Sequence, residues 1–273
     1  MPATRYRLPF WRRREPPMLR DIATLRPPSL SKGKRFETEQ DVKIESERSE
    51  LLLRQAGSLG RRLANGLLSC REGSRSCDAP QCPICARSFR RWFTGELLRI
   101  TKKDNQRSVF ITVLLEAASS GRIETLDFKR HRASLRQKLI RSGLDKCVVI
   151  GGVEMVYKGK TTGWVLHVNL VVLDPNDAAL SVFLKSFDKS PFPRPTLITK
   201  LVDHNEQLSY ALKFTTYHRP HKQRGASKGN PVPLNAGLHY SLVNWMAARS
   251  FKDFLFLFNA RLGKRSIKTN LRR

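Results

Sequence analysis

The chain has 273 residues, enough for one large domain or two modest ones, and 40% of them are hydrophobic, enough for a real core. Its 51 Lys and Arg against 23 Asp and Glu leave a formal charge of +28, an excess that repels itself unless a polyanion, most often nucleic acid, neutralises it. Apolar runs are too short for a membrane span, the N-terminal MPATRYRLPFWRRREPP lacks the apolar h-region of a secretory signal, and five cysteines are too few for a disulfide scaffold, so a reducing, cytoplasmic setting is expected.

Residues 1–40 hold RRREPP and RPPSLSKGKR with little apolar content, and predict a basic, disordered tail, either solvated or tracking phosphates. From Gln40 the pattern turns helical. Leu52, Ala56, Leu59, Leu63 and Leu67 recur at three and four residues, while Gly57 and Gly60 leave room for a break.

The helix leads into SCREGSRSCDAPQCPICARS, with the spacing C-x6-C-x4-C-x2-C. CPIC is a knuckle that lets two thiolates meet one ion. Cys70, Cys77, Cys82 and Cys85 around a tetrahedral zinc would staple a segment with little core of its own. Buried free cysteines fit badly among Arg, Ser, Asp and Gln, although the gaps are short for two separated knuckles and Cys70 could be spare. Cys147, in KCVVIGG, belongs with the core.

ARSFRRWFTGELLRI is again helical and basic, and RSVFITVLLEA (107–117) predicts a strand. A helix follows over 124–143, with Phe128, His131, Leu135 and Leu139 on one stripe and Gly143 as a stop. KCVVIGGVEMVYKGKTTGWVLHVNLVVLD (146–174) predicts a β-hairpin. A short helix over 175–188, a strand over 194–202, a helix over 205–217, a basic loop over 218–231 and an apolar helical end over 237–258 complete the order. The fold class expected is α+β: a mainly antiparallel central sheet with helices packed on a face, preceded by a helical, zinc-binding segment. The division expected is 1–40 tail, 41–105 zinc module and 106–273 sheet domain.

Alternation in the second hairpin strand puts Trp164, Leu166, Val168, Leu170 and Val172 on one side and Val165, His167, Asn169 and Val171 on the other. Across the hairpin, Glu154 would sit opposite or diagonal to His167. A carboxylate, an imidazole and an amide oxygen make a mixed hard site suited to Mg2+ or Mn2+. A lone strand histidine is ordinarily a hydrogen-bonded core residue; the adjacent carboxylate is what raises the alternative. On the helix predicted for NEQLSYALKFTTY, Glu206, Tyr210 and Lys213 would share a face. That pattern is common in plain amphipathic helices, yet a phenol beside a cation could also attack a phosphodiester.

Three segments, SVFITV, HVNLVV and YALKF, resemble in order the three motifs of HUH endonucleases, U being a hydrophobic residue. GGVEMVY…GWVLHVNLVV resembles the G-x-L-E-V-T and G-W-x-x-H-x-H stretches of rolling-circle replication initiators of small plasmids and phages; related transposases share the pattern. The resemblance covers roughly residues 45–265. It implies a nickase of single-stranded DNA or an origin hairpin, working with host replication proteins and not at a membrane. Glu154, His167 and Asn169 would hold the divalent cation. Tyr210 would attack the scissile phosphate, Lys213 would steady its charge, and Glu206 would direct a hydroxyl at the closing step. Asn169 departs from the family pattern, where a second histidine stands. Arg87, Arg90, Arg91, Arg219, Lys222 and Arg224 are expected to grip the DNA backbone, and Tyr217 ranks second as a nucleophile. The rival expectation is a zinc-containing DNA-binding regulator without catalysis.

Overall fold

The computed structural model describes residue 22 and residues 36–73, 76–102, 107–201, 204–218, 232–264 and 266–270. The first helix, α1 (Glu39–Arg54), starts at a reciprocal cap: Asp41 N–H donates to Thr38 Oγ1 at 3.1 Å and Thr38 N–H to Asp41 Oδ2 at 2.9 Å. The break expected at the glycines falls at Gln55–Ala56. Gly57 has φ +75, and a Cβ on Gly60 would lie 2.2 Å from Leu53 O, so only glycine lets α2 (Gly57–Arg71) start this close to α1. The turn rotates the apolar stripe: Leu67 and Cys70 are buried while Leu59 is exposed. The third helix, α3 (Pro83–Thr101), opens with Pro83 in its first turn, where a missing N–H costs nothing.

Strand β1 (Ser108–Ala118) is followed by a 3-10 turn (Ile123–Thr125) and α4 (Phe128–Arg141), capped by Asp127 and ended by Gly143 at φ +81. The expected hairpin forms from β2 (Val148–Tyr157) and β3 (Trp164–Leu173), closed by Lys158 N–H to Gly163 O and Gly163 N–H to Gly159 O, both at 2.8 Å. After α5 (Asp177–Lys185) come β4 (Thr196–Lys200), α6 (His204–Ser209) and a two-residue pair, β5 (Tyr217–His218) with β6 (Val232–Pro233). The chain ends with α7 (Ala236–Ala247), a 3-10 turn (Phe251–Phe254), β7 (Leu255–Phe258) and a small hairpin of β8 (Ala260–Leu262) and β9 (Ile267–Thr269).

Among the described residues the main sheet is β4-β1-β3-β2-β7, antiparallel at every pairing, so the chain is α+β as expected. β4 closes one edge and is exposed along nearly its whole length. No helix among the described residues is long and apolar enough to cross a membrane.

Four expectations change. The helix over 205–217 stops at Ser209, because later carbonyls are taken by other elements: Asn169 Nδ2 donates to Tyr210 O at 3.2 Å and Arg90 Nε to Leu212 O at 3.1 Å. The helix over 237–258 stops at Ala247, and the run Leu-Phe-Leu-Phe instead pairs with β2 as an outer strand. Helices were expected on one face of the sheet, but all ten residues of β3 are buried, so both faces are covered. Arg87, Arg90 and Arg91 are buried in α3 and do not form an open phosphate-gripping face. Arg90 is only 1% exposed and bonds Glu37 as well as Leu212 O. The other three arginine and lysine positions, Arg219, Lys222 and Arg224, lie outside the described residues, as does the 1–40 tail apart from Ile22 and residues 36–40.

One hydrophobic cluster runs from Leu53 to Ile267 and takes in Cys70, Cys82, Cys85, the apolar side of α3 and the sheet. The boundary expected at 105/106 therefore falls within a continuous core.

Candidate functional site

Strand pairing builds two polar rows on one face of the sheet. In the first, Thr112, Asn169 and Gly152 stand side by side on β1, β3 and β2; in the next, Leu114, His167 and Glu154 do so. Directly opposed residues in such a ladder hold their Cβ atoms about 5 Å apart, so Glu154 and His167 share one small space.

Residues 210–216 lie across these rows as a strap. Gly152 makes this approach feasible: a Cβ there would meet Ala211 O at 2.4 Å, Leu212 Cδ1 at 2.7 Å and Leu212 Cα at 3.0 Å. Gly152→Ala is expected to lift the strap and cost about 1–3 kcal/mol, the usual range for overpacking, measured by urea unfolding. Unchanged stability would mean the strap is not pressed onto the sheet.

The strap places its polar atoms over the rows. Lys213 Nζ lies 3.5 Å from Glu154 Oε2 and 4.5 Å from the centre of the Tyr210 ring. Thr215 Oγ1 donates to Glu154 Oε1 at 3.2 Å. Asn169 Nδ2 reaches Glu154 Oε2 at 3.5 Å, while its Oδ1 accepts from Thr112 Oγ1 at 2.8 Å. Glu154, His167, Asn169, Tyr210 and Lys213 are thus brought together. Glu206 is not brought onto a common helical face with Tyr210 and Lys213, because α6 ends between them.

Burial pushes the His167 imidazole down to about 4, with Lys158 and Lys213 adding to the push and Glu154 opposing it. The ring is neutral at pH 7, the form that ligates metals. Its Nε2 is buried and has no hydrogen-bond partner among the described residues. Burial would raise the Glu154 carboxyl, but Lys213, His167, Thr215 and Asn169 together hold it below the usual carboxylate range. Because His167 is uncharged at neutral pH, Lys213 is the main countercharge there. A neutral imidazole with an unsatisfied nitrogen thus stands beside an ionised carboxylate, two groups that could serve a divalent cation. An orphaned buried nitrogen otherwise costs stability and has no evident return.

The cysteines form a second cluster. Cys70 lies in the last turn of α2, Cys77 in the connecting loop, Cys82 caps α3 and Cys85 sits in its first turn. Their sulfurs lie within 4.8 Å of one another, with Cys70–Cys85 at 3.5 Å and Cys77–Cys85 at 3.4 Å. Tetrahedral thiolate ligation at about 2.3 Å sets sulfurs about 3.8 Å apart, so the group could hold a metal ion, and Cys70 belongs to it. Thiols of Cys77, Cys82 and Cys85 hydrogen-bonding to Cys70 hold it far below the usual thiol range.

Sequence reasoning did not single out Thr112, Gly152 or Thr215. The pair Gly151–Gly152 inside a strand was a usable signal, since glycine in a strand interior often marks close backbone approach. Thr112 and Thr215 carried none, because their role depends on strand register and on the strap leaving α6. Comparison with protein-family models, curated proteins and solved structures finds no match to this chain.

Proposed function

We propose that the chain is a metal-dependent nickase and rejoining enzyme of single-stranded DNA, of the HUH type, serving initiation of rolling-circle replication. The observation that carries this reading is the meeting of Glu154 with a neutral His167 of unpartnered Nε2, beneath a strap bearing Tyr210 and Lys213. The net charge of +28 supports a polyanionic substrate.

Mg2+ or Mn2+ held by Glu154, His167 and the Asn169 amide oxygen would supply Lewis-acid polarisation of the scissile phosphate. Asn169 Oδ1 accepts from Thr112 with one lone pair and would offer the other to the cation, so Nδ2 keeps its bond to Tyr210 O. The Tyr210 oxygen forms a bond to phosphorus as it loses its proton, and the bond to the 3′ oxygen breaks. The products are a 5′-phosphotyrosine link and a strand with a free 3′-OH, so the phosphodiester is conserved for rejoining. Lys213 offsets charge on the phosphate as the new bond forms. The four cysteines hold zinc, which fixes the start of α3.

A second reading, a zinc-containing DNA-binding regulator, is favoured by the closure of the site: His167 is 7% exposed and Asn169 3%. The two part on one experiment. The protein is incubated with single-stranded oligonucleotides carrying hairpin origins and Mn2+, then digested and analysed by mass spectrometry. The nickase reading expects a nucleotide adduct on the peptide containing Tyr210. Tight DNA binding with no adduct under Mn2+, Mg2+ or Zn2+ overturns it in favour of the regulator.

A further inference from the structure

The strap does not end at Lys213. It runs on to Thr216 and Tyr217, where it meets α1, an element with no direct part in the metal and phosphate chemistry proposed above. Tyr217 Oη donates to Glu45 Oε2 at 2.6 Å, and Thr216 Oγ1 donates to the other oxygen of the same carboxylate. Arg48, one turn further along α1, donates to Glu45 and, at 2.7 Å, to Thr216 Oγ1. Its guanidinium also lies 4.8 Å from the centre of the Tyr217 ring. Tyr217 is 5% exposed.

We propose that Tyr217 is a positioning residue and not a second nucleophile: with Glu45 and Arg48 it forms a part-buried lock that fixes the strap carrying Tyr210. This rests on the nickase reading for its catalytic part. The chemistry of the contact points one way. A phenol must shed its proton to attack phosphorus, and a phenolate 2.6 Å from the part-buried Glu45 carboxylate would face a like charge at contact distance. Burial would raise the Glu45 carboxyl, but Arg48, Thr216 and Tyr217 hold it below the usual range, so it stays an ionised acceptor.

The lock completes a series of tethers. Asn169 holds Tyr210 O, Arg90 holds Leu212 O, Thr215 holds Glu154, and Glu45 holds residues 216 and 217. Three of these come from the sheet and α3; the last is the one by which α1 acts on the strap. A nucleophile must be held in near-attack geometry to within a fraction of an ångström, and a loop achieves that only through such ties.

The test uses the full chain as Tyr217→Phe and Glu45→Gln. Tyr217→Phe keeps the ring beneath Arg48 and removes only the hydroxyl. Backbone amide exchange of residues 211–216 is expected to speed up about tenfold in both variants, with exchange of β1, β2 and β3 unchanged. Adduct formation is expected to fall about tenfold in rate, with oligonucleotide affinity unchanged within about twofold and the adduct still on Tyr210. Unchanged exchange at 211–216 overturns the lock. An adduct on Tyr217 in the unsubstituted chain, or normal cleavage with rejoining abolished in Tyr217→Phe, overturns the positioning role in favour of a second nucleophile. If the unsubstituted chain forms no adduct with any metal, the nickase reading fails, and the exchange measurement still decides whether the lock exists.

Discussion

Tyr210→Phe is expected to leave a folded, DNA-binding protein and to reduce the covalent adduct by at least about a thousandfold, the scale of removing the attacking atom. The structure supports a chemical rather than structural loss. The tether from Asn169 goes to the backbone oxygen of residue 210 and survives the change. Lys213 packs over the ring face, which phenylalanine also presents, and its ion pair with Glu154 does not involve the hydroxyl. Adduct yield on denaturing gels, oligonucleotide affinity and thermal unfolding together check it. Adduct persisting at more than a few per cent of the unsubstituted rate would remove Tyr210 as nucleophile and place the attacking group elsewhere.

The second large effect concerns the thiols. Cys82→Ser or Cys85→Ser is expected to abolish metal retention and destabilise the chain by about 3 kcal/mol or more, since binding free energy at such sites contributes directly to folding. Both side chains are fully buried and belong to the main core, so a hydroxyl in their place also leaves a polar group without water. The damage should travel. Cys82 and Cys85 fix the first turn of α3, two turns before Arg90, and Arg90 holds the strap at Leu212 O. Bound zinc measured by elemental analysis and stability measured by denaturant unfolding check the point. One zinc per chain, lost with stability in either variant, is the expected outcome. A serine variant of unchanged stability would show that the four are ordinary buried thiols.

The hairpin was legible because it obeys a period of two without interruption. Counting back from the turn near Lys160 put Glu154 opposite or diagonal to His167, and the register makes it opposite. The cysteine group was legible from spacing except for Cys70, whose membership only the structure shows. The fate of Tyr210 was not. NEQLSYALKFTTY carries helical spacing, but its last half is decided by side chains elsewhere, Asn169 and Arg90, which compete for the carbonyls a helix would use. The aromatic run at 255–258 fits either period, and the unpaired edge of β2 decides it. The arginines of α3 misled for a related reason. Charge predicts exposure on average, but Glu37 and a backbone carbonyl, both distant in sequence, satisfy Arg90 inside the molecule.

The unbroken core from Leu53 to Ile267 bears on how such a protein can be divided. Phe89, Phe93 and Leu97 of α3 are buried in the same cluster as the strand residues, and Phe89 stacks on Phe251 with ring centres 4.4 Å apart. Neither half owns an interior that the other does not finish. The thiol-bearing helices are therefore expected not to fold apart from the sheet. Melting should proceed as one event.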